Sequence, residues 1–136
     1  VYTAMRLYRE EFRASPFGHE PRAILAVSAI CAPTAEEAER LAATADLSMM
    51  RTRTGRTRYP LPSVEEALAY RYEPDEEALR QYNRTRIHIG TPEALAESIG
   101  ALARATSADE VMVNTMIHNH QDRIRSYQLL ASALMS

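Results

Sequence analysis

"RAILAVSAICAPTAEEAERLAATADLSMM", residues 22–50, decides the fold class of this chain. Up to Ala32 it is an unbroken apolar run of small and branched side chains flanked by Pro21 and Pro33, too short for a lone buried helix. Such a run predicts a strand buried on both faces, hence parallel to its neighbours and covered by helices. The remainder opens on Thr34 with Glu37 three residues later, the spacing of a capping box in which each side chain satisfies an orphan amide at a helix start. A strand that feeds directly into a helix is the unit of an α/β protein.

Upstream, Met5, Tyr8 and Phe12 follow helical spacing over residues 3–13, and "ASPFGHEP" breaks the pattern. Downstream, Ser63 with Glu66 repeats the capping device, and Pro74 opens another short helical stretch. "RIHIG" reads as a short extended run before Thr91 as N-cap and Pro92 at the first helical position. "DEVMVNTMI", residues 109–117, reads as a second buried strand, and a last helix runs from about His118 to Leu134 on Ile124, Tyr127, Leu130 and Leu134. Two convincing strands leave sheet edges with unpaired amides and carbonyls, which are costly to bury. The sequence therefore expects these edges to be paired by another copy or by the rest of a larger α/β domain.

Composition narrows the function classes. The 136 residues are 46% hydrophobic and 25% charged, with a formal charge of -2, which argues against a dedicated nucleic-acid binder. All 16 basic residues are arginine, a bias expected of a GC-rich genome. The single cysteine, Cys31, excludes an internal disulfide and a multi-cysteine zinc site, and a reducing, cytoplasmic setting is expected. No apolar run approaches the roughly 20 residues of a membrane span, so no membrane partner is expected.

Three motifs carry candidate chemistry. "MMRTRTGRTRYPLP", residues 49–62, sets four arginines around one glycine. Arginine forks there could grip a phosphate, or they could be solvated cations complementing the dipole of a helix end. "HNH", residues 118–120, is no metal signature, since side chains two apart on a helix point about 200° from each other and the HExxH arrangement is absent. His118 stays a candidate because active sites of parallel β/α domains gather at the carboxyl ends of strands. "GTPE", residues 90–93, lacks a full phosphate-loop pattern and is explained by capping. Cys31 reads as a buried structural thiol, and Met49, Met50, Met112 and Met116 read as core filler.

In their order, "YREEFRAS", "AVSAICAPTAEEAERLA", "RTRTGRTRYPLP", "IGTPEALAESIGALA" and "ADEVMVNTMIHNHQDRIRSYQLLA" resemble the C-terminal portion of luciferase-like, flavin-dependent monooxygenases, across nearly the whole chain. The resemblance implies an α/β fold in which residues 1–136 form a single partial domain, a fragment of a (β/α)8 TIM barrel. Ala23 to Cys31 would be strand seven and Glu110 to Thr115 strand eight. It implies an oxidoreductase in which reduced FMN, or a deazaflavin such as F420, activates dioxygen for attack on a small organic substrate. In the family much of the flavin site lies in earlier strands, so the chain alone would lack much of it. The site residues that the resemblance implies are Arg51, Arg53, Arg56 and Tyr59 as lid contacts to flavin phosphate or substrate. Asn114, Thr115 and His118 would stand at the catalytic end of strand eight, and Arg123, Arg125 and Ser126 would anchor the last helix. No catalytic residue and no metal ligand is assigned. The expected partners are a small-molecule substrate and a second copy of the chain in a dimer. The alternative is a non-catalytic barrel remnant that folds by homo-oligomerisation.

Overall fold

The structure is a computed structural model and describes residues 1–56 and 58–135 of the chain. Ile24–Cys31 forms the central strand, β1, and Ala35–Arg53 the helix α2 that follows it. Thr34 caps α2 by accepting a hydrogen bond from the Glu37 amide at 3.2 Å. Gly55, at φ +79°, takes the left-handed turn that ends α2 and lets the Arg56 amide reach the Arg51 carbonyl at 2.7 Å. Before β1 lies α1, Tyr2–Glu11, and after α2 come the short helix α3, Val64–Ala69, and α4, Pro74–Arg84. Then follow β2, Ile87–Gly90; α5, Pro92–Thr106; β3, Glu110–Asn114; and α6, His120–Leu134.

All three strands are parallel, in the order β2-β1-β3. This overturns the expected incomplete (β/α)8 TIM barrel with two strands. The described residues form a small α/β fold of an open three-stranded sheet and six helices. In a (β/α)8 barrel successive strands stand side by side around a closed ring. Here the second strand of the chain is separated from the third by the first, an order that belongs to an open sheet. The strand beyond the two expected is β2, the extended "IHIG" run, four residues whose backbone pairs with Ser28–Cys31.

Helices cover the two faces unequally. Leu25, Val27, Ala29 and Cys31 point to one face and are buried under Leu95 and Ile99 of α5 and Leu130 of α6. On the other face Ile30 is buried with Leu41, Ala42 and Ala45 of α2, joined by Ile87, Ile89 and Ile117. Each fully buried aliphatic side chain of this kind contributes about 1.5–3 kcal/mol. That cover stops short, so the expectation of a strand buried on both faces holds only for the end of β1. Ile24 and Met112 are each 57% exposed, and Ala26, the cross-strand partner of Met112, is open as well.

Polar anchors fix the helices. The Ser126 hydroxyl, fully buried on α6, accepts the Cys31 amide at 2.9 Å and ties the last helix to β1. Asp46, almost fully buried on α2, accepts Arg84 through both oxygens at 2.7 Å and Arg80 at 3.2 Å. That clamp holds α4 against α2 and so sets where the chain turns, at Thr85 and Arg86, into β2. No helix among the described residues is long and apolar enough to cross a membrane.

Candidate functional site

β2 pairs with Ser28–Cys31 alone, while β3 pairs with Ile24–Ser28. The Ile24–Val27 half of β1 therefore has a strand on one side and, among the described residues, none on the other. Beside this gap lies a cavity of about 870 Å3, lined by β1, the last turns of α2, the turn from α4 into β2 and, from the other side of the sheet edge, Leu102 of α5. Its walls are aliphatic at Ala26, Val27, Met49 and Ile87, and its polar groups are Ser28, Arg53, Thr85, Arg86, His88 and Asn114. A concave space of this size, lined about equally by apolar and polar surface, suits a small organic ligand that carries both.

The strand register brings Ser28 and Asn114 together, since they are directly paired across β1 and β3. The Ser28 hydroxyl donates to Asn114 Oδ1 at 2.8 Å, which leaves the Asn114 Nδ2 hydrogens for a ligand. Arg53, in the last turn of α2, holds its guanidinium carbon 5.5 Å from the Tyr82 ring centroid. His88 turns toward α5, where its Nδ1 is 3.1 Å from Ser98 Oγ, and burial pushes its pKa below the usual histidine value.

Of the residues named from sequence, the cavity gathers Arg53 and Asn114. Arg51 lies instead against Glu66 at 2.8 Å, with its guanidinium 4.6 Å from the ring of Tyr59. Arg56 reaches Tyr70 at 3.3 Å and Glu76 at 3.4 Å. Thr115, just past β3, has a buried Oγ1 with no hydrogen-bond partner among the described residues. His118 is exposed near Glu65, whose carboxyl is held below its usual range first by hydrogen bonds to its own backbone and Ser63, with Arg40 and His118 adding to this. Asn119 caps α6 by accepting the Gln121 and Asp122 amides at 2.9 and 3.1 Å, and His120 pairs with Arg123. No group of three potential metal ligands comes together among the described residues.

Sequence reasoning missed Ser28, Arg86 and His88. A signal for two of them was present: Ser28 is the only hydroxyl within β1, and His88 is the only polar side chain of "IHIG". Arg86 had none, because its place depends on the clamp between α4 and α2. Cys31 is buried as expected, and burial, with a smaller push from Glu93, raises its thiol to about 11.

No family model matches the chain. The uncharacterised protein YwcH of Bacillus subtilis (strain 168) is 37% identical over 95% of this chain and 39% of its own length. YceB of the same organism is 35% identical over 97% of this chain and 40% of its own length. A luciferase-like monooxygenase of Escherichia coli (strain K12) is 27% identical over 95% of this chain and 38% of its own length. The crystal structure of apo-MsnO8 is 37% identical and superposes with a TM-score of 0.86, covering 98% of this chain and 41% of that one. The chain thus spans about two fifths of the length of the relatives it matches. The likeness to proteins named luciferase-like monooxygenase, over nearly the whole of this sequence, supports the luciferase-like superfamily as its place.

Proposed function

We propose that this chain carries part of a flavin-dependent oxidoreductase of the luciferase-like kind, acting on a small organic substrate. The observation that carries the reading is the cavity beside the unpaired half of β1, where aliphatic walls meet the Ser28–Asn114 pair. FMN fits the residues present: the volume accommodates a ring system, aliphatic side chains at Ala26, Met49 and Ile87 line it, and Asn114 Nδ2 is free to meet a ring carbonyl. Reduced flavin, when bound, supplies the electrons and the activation of dioxygen. Ser28 orients Asn114 by donating to its oxygen, so that the amide hydrogens face the ligand. Met49 and Ile87 close the walls and keep water from the bound molecule. Arg53, on the rim, contacts flavin or substrate from the end of α2.

Titrating the chain with FMN and following flavin fluorescence tests this. Binding with a dissociation constant on the order of 1–100 µM is expected, with Asn114→Ala about tenfold weaker. Absence of binding by FMN and by a deazaflavin would remove the reading. A second reading, a non-catalytic unit that assembles with its own copies, draws on the exposure of Ile24 and Met112 on the same face. Light scattering that gives a stable dimer together with no flavin binding favours it.

A further inference from the structure

We propose that the cavity beside β1 receives the anionic group of a small, otherwise apolar molecule, held between Arg53 and Arg86. The proposal rests on the reading of this cavity as a ligand site, and it specifies the ligand's chemistry. The chain as a whole has a formal charge of -2, yet two arginines and, among the described residues, no aspartate or glutamate line the cavity. Six arginines, Arg6, Arg9, Arg51, Arg56, Arg80 and Arg84, each pair with a carboxylate. Arg53 and Arg86 are among the arginines that make no such pair among the described residues, and they are the two that line the cavity. Arg53 is set over the Tyr82 ring, which fixes its direction without cancelling its charge.

The remaining polar groups agree in sign. Asn114 Oδ1 already accepts from the Ser28 hydroxyl, while its NH2 group stays available as a donor. His88 is turned to Ser98 and supplies no negative charge. A cavity lined by two guanidiniums, an amide NH2 and Thr85 complements an acceptor-rich anion, and guanidinium forks match carboxylate, sulfonate or phosphate oxygens. The aliphatic walls at Val27, Met49, Ile87 and Leu102 suit a hydrocarbon body on the same molecule.

The test is calorimetric titration of the chain with octanoate and with octan-1-ol, which share a body and differ in charge. Octanoate is expected to bind about tenfold more tightly, and Arg53→Gln and Arg86→Gln each to remove most of that preference while leaving octan-1-ol unchanged. Arg53→Lys should keep part of the preference, and Arg125→Gln, outside the cavity, all of it. Equal affinity for the two ligands, no binding of either, or an unchanged preference in both glutamine variants overturns the proposal. A parallel titration with FMN and riboflavin identifies the source of the anion. If FMN is preferred and the glutamine variants abolish that preference, the phosphate of the flavin occupies the arginines; if the flavins bind alike, the substrate does. Octanoate binding without any flavin binding leaves the anion site standing and removes the flavin reading.

Discussion

Ser126 shows how much one buried hydroxyl can hold. Its oxygen is the acceptor for the Cys31 amide at the end of β1, inside a region where both residues are almost fully buried. Ser126→Ala keeps the volume and strands that amide without a partner, and a buried unsatisfied donor costs about 1–3 kcal/mol. Urea unfolding should show that loss, with an unchanged slope; a loss under 0.5 kcal/mol would mean that the amide finds another acceptor. The anchoring role of Ser126 was legible from the resemblance, as a link between the last helix and the strand layer. Its partner was not, because the pairing of residues 95 apart depends on the order of strands. Arg51 and Arg56 teach the complementary lesson. As letters they are two members of a basic run, whereas in the fold Glu66 and Glu76 engage them and Arg53 remains without a carboxylate. Spacing counts charges but does not reveal which acids from other elements will meet them.

Among the elements, α4 depends most on charge. Glu77 holds Arg80 through two hydrogen bonds and also accepts from Gln81, and these contacts keep its carboxyl at about 2, below its ordinary 4.5. A carboxylate depressed in the folded state adds stability that is complete above the unfolded pKa and disappears as pH falls through the folded one. Stability should therefore decline between about pH 4.5 and 2, and Glu77→Gln should flatten that decline in urea titrations taken at successive pH values. The helices were the legible part of this protein, since Thr34, Ser63 and Thr91 announce their starts and each accepts the amide three residues on. β2 was legible as extended but not as a strand. Four residues carry too little periodicity, and the partners that hold them, β1 on one side and the core beneath Ile87 and Ile89, come from distant parts of the sequence.

At the scale of the molecule, the order β2-β1-β3 leaves one sheet face half uncovered. If that face serves a small ligand, Ile24→Glu and Met112→Glu should change stability by less than about 0.5 kcal/mol, as substitutions at open positions do. They should leave the mass in solution unaltered as well. A shift from dimer to monomer in light scattering would instead favour self-assembly through that face. The class of the fold, helices packed on parallel strands, followed from residues 22–50, but its closure did not, because a local pattern does not carry the order in which distant strands meet. That order also has a consequence in time. The middle strand is made first, and its partners across the sheet follow later, with Asn114 arriving 86 residues after Ser28. At the usual pace of synthesis the most apolar strand of the chain waits about 4 to 17 s for its last neighbour. A nascent chain arrested before residue 110 would thus present β1 to chaperones, and its release should restore the sheet in a single late step.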